Sequence, residues 1–487
     1  LALTGSLGQF TATLPASAIT IRGVEFYLSL SSLQGLSLTF PLVNPAAAPA
    51  ILPVRSPKIV PPALATASVA KYRMISSPAV LDNPSILSQL ADDLGPYNPA
   101  SWRVFRWVRN SYHELVPFIG MTLDPGTACW VITATGTPFS LKRAVSTPSG
   151  QYYYVSVDTG WTQIADPFAF TVAWSQVGGS SYMGKPYFYD GTQYMTVATL
   201  SPYEGYFVYN SIGETMTLAF PPVESVGTAV PKVNATAAPG PGEYLLQLSA
   251  ALTGTDYRDT YNYIGFRNGA LPGRDALDAP KPPPIGNGLQ VNIIDGGSAY
   301  LENYKPAGTD GASWVIAVTT TGAKGKAVLT LGPAGTLPGG YAVHVLDLAG
   351  ENAVPAMPGS FEVDLDAPNA PRYYKVIIGT ESFAAKESQG IPLQPVAYAL
   401  EQNYPNPFNP STTIRYALEK KSAVLLEVFN TLGQRVRTLV DATQTTGQYA
   451  VTWDGTSDGG AHVASGVYFY RLRTGEFTAV RKLAMIR

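Results

Sequence analysis

Ala423-Val424-Leu425-Leu426-Glu427-Val428-Phe429, then Asn430-Thr431-Leu432-Gly433, then Gln434 to Val440, is the passage whose reading decides the fold. Val424, Leu426 and Val428 recur at period two, which sets them on one face of a strand, and the Asn/Thr/Gly run supplies turn chemistry that sends the chain back. That is a hairpin. Working outward, Tyr449 to Trp453 reads as a third strand, Gly466 to Arg473 as an aromatic strand, and Phe477 to Ile486 closes the set. Asp454-Gly455 and Asp458-Gly459-Gly460 are turns whose glycines accept positive φ. Upstream, Tyr404-Pro405-Asn406-Pro407-Phe408-Asn409-Pro410 packs prolines densely enough to exclude helix and force an extended, turning lead-in. The pattern predicts an all-β sandwich of about 80 to 100 residues, which by itself carries no function.

The particular residues say more. Asn403 to Pro410, Leu432-Gly433-Gln434, Trp453-Asp454-Gly455 and Ser465-Gly466-Val467-Tyr468-Phe469-Tyr470, ending on a basic strand, resemble the C-terminal sorting domain of type IX secretion cargo. The resemblance covers all of residues 403–487. It implies an Ig-like fold related to one in flagellar hook-capping proteins, export across a bacterial outer membrane by the type IX machinery, and a secreted or cell-surface location. It also implies that the export machinery recognises the strand carrying Gly466, Tyr468, Tyr470 and Leu472 and the last strand with Lys482 and Arg487.

The bulk numbers agree with an extracellular β-protein. Across 487 residues the formal charge is −2, so there is no electrostatic case for nucleic acid or a membrane surface. From Asn403 onward, ten Lys/Arg stand against six Asp/Glu, a small basic tail on a slightly acidic body. Charged residues make up 14%, against about 25% in ordinary soluble proteins, while Gly, Pro and Tyr are abundant. The single cysteine, Cys129, rules out an internal disulfide and leaves stability to core packing. No apolar run of about 20 residues occurs. The sequence begins at Leu1 rather than a methionine and opens on no signal-peptide pattern, so a processed or truncated form, missing its start, is expected.

Taken from its beginning, the chain reads as tandem β-sandwich or Ig-like modules joined by Pro-rich linkers, with one short helix. Residues 1–55 form a partial Ig- or fibronectin-like module, in which Ile19, Ile21, Val24 and Phe26 mark a candidate assembly strand. Two or three strands cannot bury a sandwich core alone, so either further sequence completes this module or its open edge pairs with another copy. Residues 56–70 read as a Pro-rich linker. An imperfect internal repeat follows, at 71–145 and 158–222. Tyr72-Arg73-Met74-Ile75-Ser76-Ser77-Pro78 returns 89 residues on as Trp161 to Pro167, and Leu123 to Val131 returns 77 residues on as Leu200 to Val208. The 12-residue difference fits a helix over Pro84 to Leu94, with Asn83 as N-cap and Gly95 as stop. Residues 223–243 read as a linker, 244–380 as a β-rich module with a loop-like acidic stretch from Asp256 to Pro284, and 381–402 as a polar linker into 403–487.

Candidates for chemistry are few. The three histidines, His113, His344 and His462, fall in different modules, and no HExxH, CxxC, GxSxG or phosphate-loop pattern occurs. Cys129 sits in an apolar strand beside Trp130, the setting of an inert buried thiol. Asp256, Asp259, Asp275 and Asp278 are a weak Ca²⁺ candidate whose spacing matches no known loop; no other cofactor is expected. Tyr152-Tyr153-Tyr154, Tyr187-Phe188-Tyr189 and Tyr203 with Tyr206 serve either sheet packing or a platform for surface glycans. The expectation is a secreted, surface-associated structural or adhesive protein without catalysis in this stretch, suited to a filament subunit. The competing readings are the accessory region of a larger exported protease or glycosidase, and a glycan-binding module.

Overall fold

The structure is a computed structural model that describes the chain outside residues 1–3, 7–8, 16, 18, 32–36, 42–49, 61–70, 116–119, 226–237, 309, 355–358, 394–396, 445, 476 and 487. It is an all-β protein with two short helices among the described residues. The chain divides into two compact units: residues 1–237 with 279–288, and residues 238–278 with 289–487.

In the first unit the two repeated stretches have the same strand order. One sheet runs Ser111–Glu114, Trp102–Val108, Ala128–Thr133, Arg73–Ser76; the other runs Tyr194–Thr196, Tyr187–Tyr189, Gly205–Asn210, Gly160–Ala165. Register matches too: Ser76 pairs with Ala128 as Ala165 pairs with Gly205, and Phe105 pairs with Trp130 as Tyr187 pairs with Phe207. Each sheet turns one face to its own core. Cys129 and Val131 point into a core with Ile75, Leu141 and Ala144, and Tyr206 and Val208 into one with Ile164, Leu218 and Phe220. The residues between them, Trp130 and Phe207, point the other way and meet at 6.4 Å between ring centroids. Burial on both faces explains why these strands read as unbroken apolar runs rather than alternating ones.

Two reciprocal backbone bonds join the copies. Ser76 N–H donates to Tyr203 C=O at 3.1 Å, and the equivalent Ala165 N–H donates to Gly126 C=O at 2.9 Å. The copies are therefore related by a local pseudo-twofold. Gly205 stands where the first copy has Ala128; a Cβ there would come within 2.4 Å of Met74 Cγ and 2.6 Å of Ala128 Cβ. Glycine is required because the two sheets close on each other at this point.

The helix of the first copy spans Ile86–Leu94 and buries Ile86 and Leu90 in that copy's core. Its N-cap is Ser85 rather than Asn83: Ser85 Oγ accepts from Ser88 N–H, while Asn83 Oδ1 accepts from Ser85 N–H and shapes the preceding turn. Pro84 lies before the helix, and Gly95 ends it at φ 79°. The reading of residues 56–70 as linker needs revision at its start, because Arg55–Ile59 is an edge strand on Leu141–Ser146 and buries Ile59; residues 61–70 lie outside the described residues.

The second unit contains a long sheet whose order runs from Asn352–Val354 through Ala342–Asp347, Arg372–Gly379, Gly311–Thr321, Gly288–Asp295, Ser298–Lys305, Arg258–Phe266, Tyr244–Leu252 and Gly325–Gly335 to Gly359–Leu365. Phe361 on the last strand and Tyr374 on the third lie 5.1 Å apart, so the sheet curls over a single core. Arg258–Phe266 corrects the loop reading of 256–284. Its Asp259 and Asn262 suggest loop but are buried partners: Asn262 Nδ2 donates to Asp259 Oδ1 at 3.0 Å and to Leu248 C=O at 3.2 Å, beside a register shift in the facing strand. The stretch read as polar linker begins with the second helix, Glu381–Glu387, capped by Thr380 and held by Lys375 to Glu387 at 2.7 Å, with Ala384 buried.

Candidate export surface of the C-terminal domain

Residues 399–485 form two facing sheets around one core. Ala399–Leu400, Thr412–Leu418 and Gly447–Trp453 make one; Arg435–Gln444, Ser422–Phe429, Gly466–Arg473 and Thr478–Met485 make the other. Thr412–Leu418 escaped the sequence reading, though Thr412, Ile414, Tyr416 and Leu418 alternate cleanly and are all buried.

Period two separates the predicted recognition residues into distinct roles. Tyr468, Tyr470 and Leu472 point inward and are buried, as are Leu483, opposite Tyr468, and Met485 on the neighbouring strand. Tyr470 is a structural tie: its OH donates to Glu401 C=O at 2.5 Å and accepts from Asn403 N–H at 2.7 Å, and burial pushes its pKa up to about 12. Tyr468 OH donates to Ala464 C=O at 2.8 Å. Gly466 opens the strand opposite Met485, Lys482 is exposed, and Arg487 lies outside the described residues.

The proline-rich lead-in has a definite job. Phe408 packs against Trp453, its N–H donates to Ala484 C=O at 3.0 Å, and its C=O accepts from Ile486 N–H at 3.1 Å. Asn406 Oδ1 accepts from Ala484 N–H, and Gln402 Nε2 donates to Lys482 C=O. The lead-in thus covers the far end of an otherwise open edge strand. The same alternation turns the backbone groups of Val480 outward along the part of the edge that is uncovered among the described residues. On the outer face of this hairpin lie Val467, Arg473, Val480, Lys482 and Ile486, with Val480 54% and Ile486 56% exposed. Behind them Arg471 stacks on Phe429 at 4.5 Å and donates to the buried Glu427 at 2.9 Å. An exposed surface that mixes cationic and aliphatic groups beside free strand edge suits recognition by another protein. Counting parity back from buried Leu483 finds Val480 in the sequence; only the motif's position shows which part of the edge stays open.

The remaining candidates are placed elsewhere. Asp275 and Asp278 accept from backbone amides of Leu271, Leu277, Asp275 and Tyr304, Asp259 from Val291 N–H and Asn262, and Asp256 is exposed; no group of three metal-ligating side chains occurs among the described residues. Of the aromatic runs, Tyr187 and Tyr206 are buried, whereas Tyr152 and Tyr154 are exposed, so the runs do not form one platform. In the assembly strand, Val24 is buried and Val24–Phe26 pairs with Ala50–Leu52; Ile21 packs on the first copy's core, and Ile19 is exposed. Cys129 is fully buried and its thiol is pushed up to about 12 by desolvation. No helix among the described residues is long and apolar enough to cross a membrane.

Residues 409–475 match the FlgD Ig-like domain family. The FlgD-like match spans the strands from Thr412 to Arg473 and stops short of the last strand and its covering lead-in. No curated protein matches the chain. Among solved structures, dimeric latent PorU from Porphyromonas gingivalis is similar at 10% identity and a TM-score of 0.18, over 50% of this chain and 30% of that one. PorZ from the same organism, described as an essential surface component of its type IX secretion system, is similar at 12% identity and a TM-score of 0.15, over 79% of this chain and 68% of that one.

Proposed function

We propose that this chain is a secreted, surface-associated structural protein without catalysis or cofactor, exported by type IX machinery that reads its FlgD-like domain. The observation that carries the reading is the final hairpin: its inner residues complete the domain core, while Val467, Arg473, Val480 and Lys482 stay exposed beside free edge. Folding and recognition therefore use opposite faces of the same two strands. The test fuses residues 398–487 to a fluorescent reporter in a bacterium with a type IX system. Val480→Asp with Lys482→Glu should leave the fusion folded but strand it inside the cell. Equal export of wild type and double variant, or equal export in a strain lacking the system, overturns the proposal.

Adhesion and self-assembly are the finer part of the reading. Their support is the hairpin Leu28–Ser31 with Ser37–Phe40, whose Leu28, Leu30, Leu38 and Phe40 are all exposed. Electron microscopy of the native protein beside a variant lacking residues 1–30 should show filaments only in the former. Dispersed particles in both samples would remove self-assembly while leaving export untouched.

A further inference from the structure

The pseudo-twofold of the first unit ends in a cleft that holds a piece of the same chain. Tyr112 is the first copy's counterpart of Tyr194: Tyr112 pairs with Trp107, and Tyr194 with Tyr189, at matching places in the two sheets. Both hydroxyls donate to one acceptor, Pro283 C=O, at 3.0 and 2.8 Å. Symmetry-related donors converging on one oxygen place that oxygen beside the local axis and use both of its lone pairs. Trp107 lies against Tyr112 at 4.7 Å and Trp130 against Tyr194 at 6.4 Å, so the walls are aromatic.

The occupant is Lys281-Pro282-Pro283-Pro284-Ile285-Gly286, in which Pro282, Pro283 and Ile285 are buried and Pro284 is exposed. Burying irregular backbone is normally costly because each residue brings an N–H and a C=O to satisfy. Three consecutive prolines bring no N–H, and here the two tyrosines supply the central carbonyl. Desolvation raises both phenol pKa values, so the hydroxyls stay protonated donors. The segment is then fixed at its end. Gly286 adopts φ 67°, and a Cβ there would lie 2.4 Å from the Tyr72 ring.

We propose that this cleft is a binding site for a proline-triplet peptide, with the chain's own Pro282-Pro283-Pro284 as resident ligand, exchangeable for the same segment of a second copy. Aromatic grooves that read extended proline segments by side-chain packing and carbonyl hydrogen bonds are a recurrent recognition mode. The cleft differs in that duplication, rather than one domain, builds its two walls.

The probe is a synthetic peptide of residues 279–287, titrated into the full chain by calorimetry with tryptophan fluorescence alongside. Wild type should bind it only weakly, because the resident segment competes for the cleft and must exchange out. A variant with Pro282→Ser, Pro283→Gly and Pro284→Ser should bind it saturably, and adding Tyr112→Phe with Tyr194→Phe should weaken that binding roughly tenfold or more. Gly286→Val, which presses the strap against Tyr72 and leaves Tyr112, Tyr194 and both tryptophans unsubstituted, should also admit the peptide, and serves if the triple variant does not fold. No saturable binding to a folded variant, or binding indifferent to the two hydroxyls, overturns the proposal. So does unfolding of both variants, which would make the strap an inseparable part of the unit's core.

Discussion

The two copies in the first unit share strand order and register, yet at the positions where they meet they carry different residues. Ala128 faces Gly205, Met74 corresponds to Gln163, and Trp130 meets Phe207. A symmetric junction cannot be filled by two identical large side chains at one point on its axis, so duplication was followed by division of volume. Their polar turns diverge as well. Where the first copy has Ser77, whose Oγ accepts from Ala79 N–H at 3.3 Å, the second has fully buried Asp166, accepting from Phe168 N–H at 2.9 Å and Val172 N–H at 3.2 Å. The same backbone demand is met by a neutral group in one copy and a carboxyl in the other.

Removing a ring from the junction is the hardest way to break this relation. Trp130→Ala should lower unfolding free energy by about 3–5 kcal/mol in chemical denaturation, and Phe207→Ala by a similar amount. The double variant should cost less than the sum, since both open one shared cavity. Strict additivity would mean that the rings do not share it.

Volume at the axis gives a sharper test. Gly205→Ala should cost about 1–3 kcal/mol by overpacking against Ala128 and Met74. Adding Ala128→Gly exchanges the two residues between the copies and should recover most of the loss in thermal melts. Failure to recover would shift the constraint onto Met74 or the backbone.

The helix belongs to the first copy alone, so its cap offers a one-sided perturbation. Ser85→Ala should destabilise by about 1 kcal/mol. Asn83→Ala, which touches only the turn before it, should cost less; the reverse order would reinstate Asn83 as the cap.

Acid should separate the copies with opposite signs. Glu114, in the first, is held below the usual carboxylate range chiefly by its hydrogen bond from Arg103. Its contribution is complete above the unfolded value of about 4 and drains as pH falls through the lower folded value. Thr196 takes its place in the second copy. There Asp166 is raised by burial, so its contribution is complete at low pH and drains as pH rises through the folded value. Hydrogen exchange should show amides near Arg103 and Glu114 losing protection below about pH 4, while Phe168 and Val172 hold or gain. Asp166→Asn should flatten the second response.

Much of this was legible in the residues alone. Alternation in Val424, Leu426 and Val428, glycines at turns, and the offsets of 89 and 77 between the copies all report local demands, which neighbouring residues can announce. Contradictory signals marked long-range partners. Asp259 and Asn262 made a central strand resemble a loop because their partners, Leu248 and Val291, are distant in sequence. At the export surface, parity alone separates Tyr468 and Tyr470 from Val467 and Val480, but the cover laid by Asn406 and Phe408 does not follow from it.

By itself, then, the sequence determined the class of the fold, the duplication, and the alternation along the last hairpin, since each is written in residue pattern along the chain. Tertiary structure alone decided that the two copies close face to face, that Gly205 must be glycine, and that Tyr112 and Tyr194 share one proline carbonyl. Those facts depend on atoms brought within van der Waals or hydrogen-bonding distance from segments tens of residues apart. Local pattern does not encode such distances.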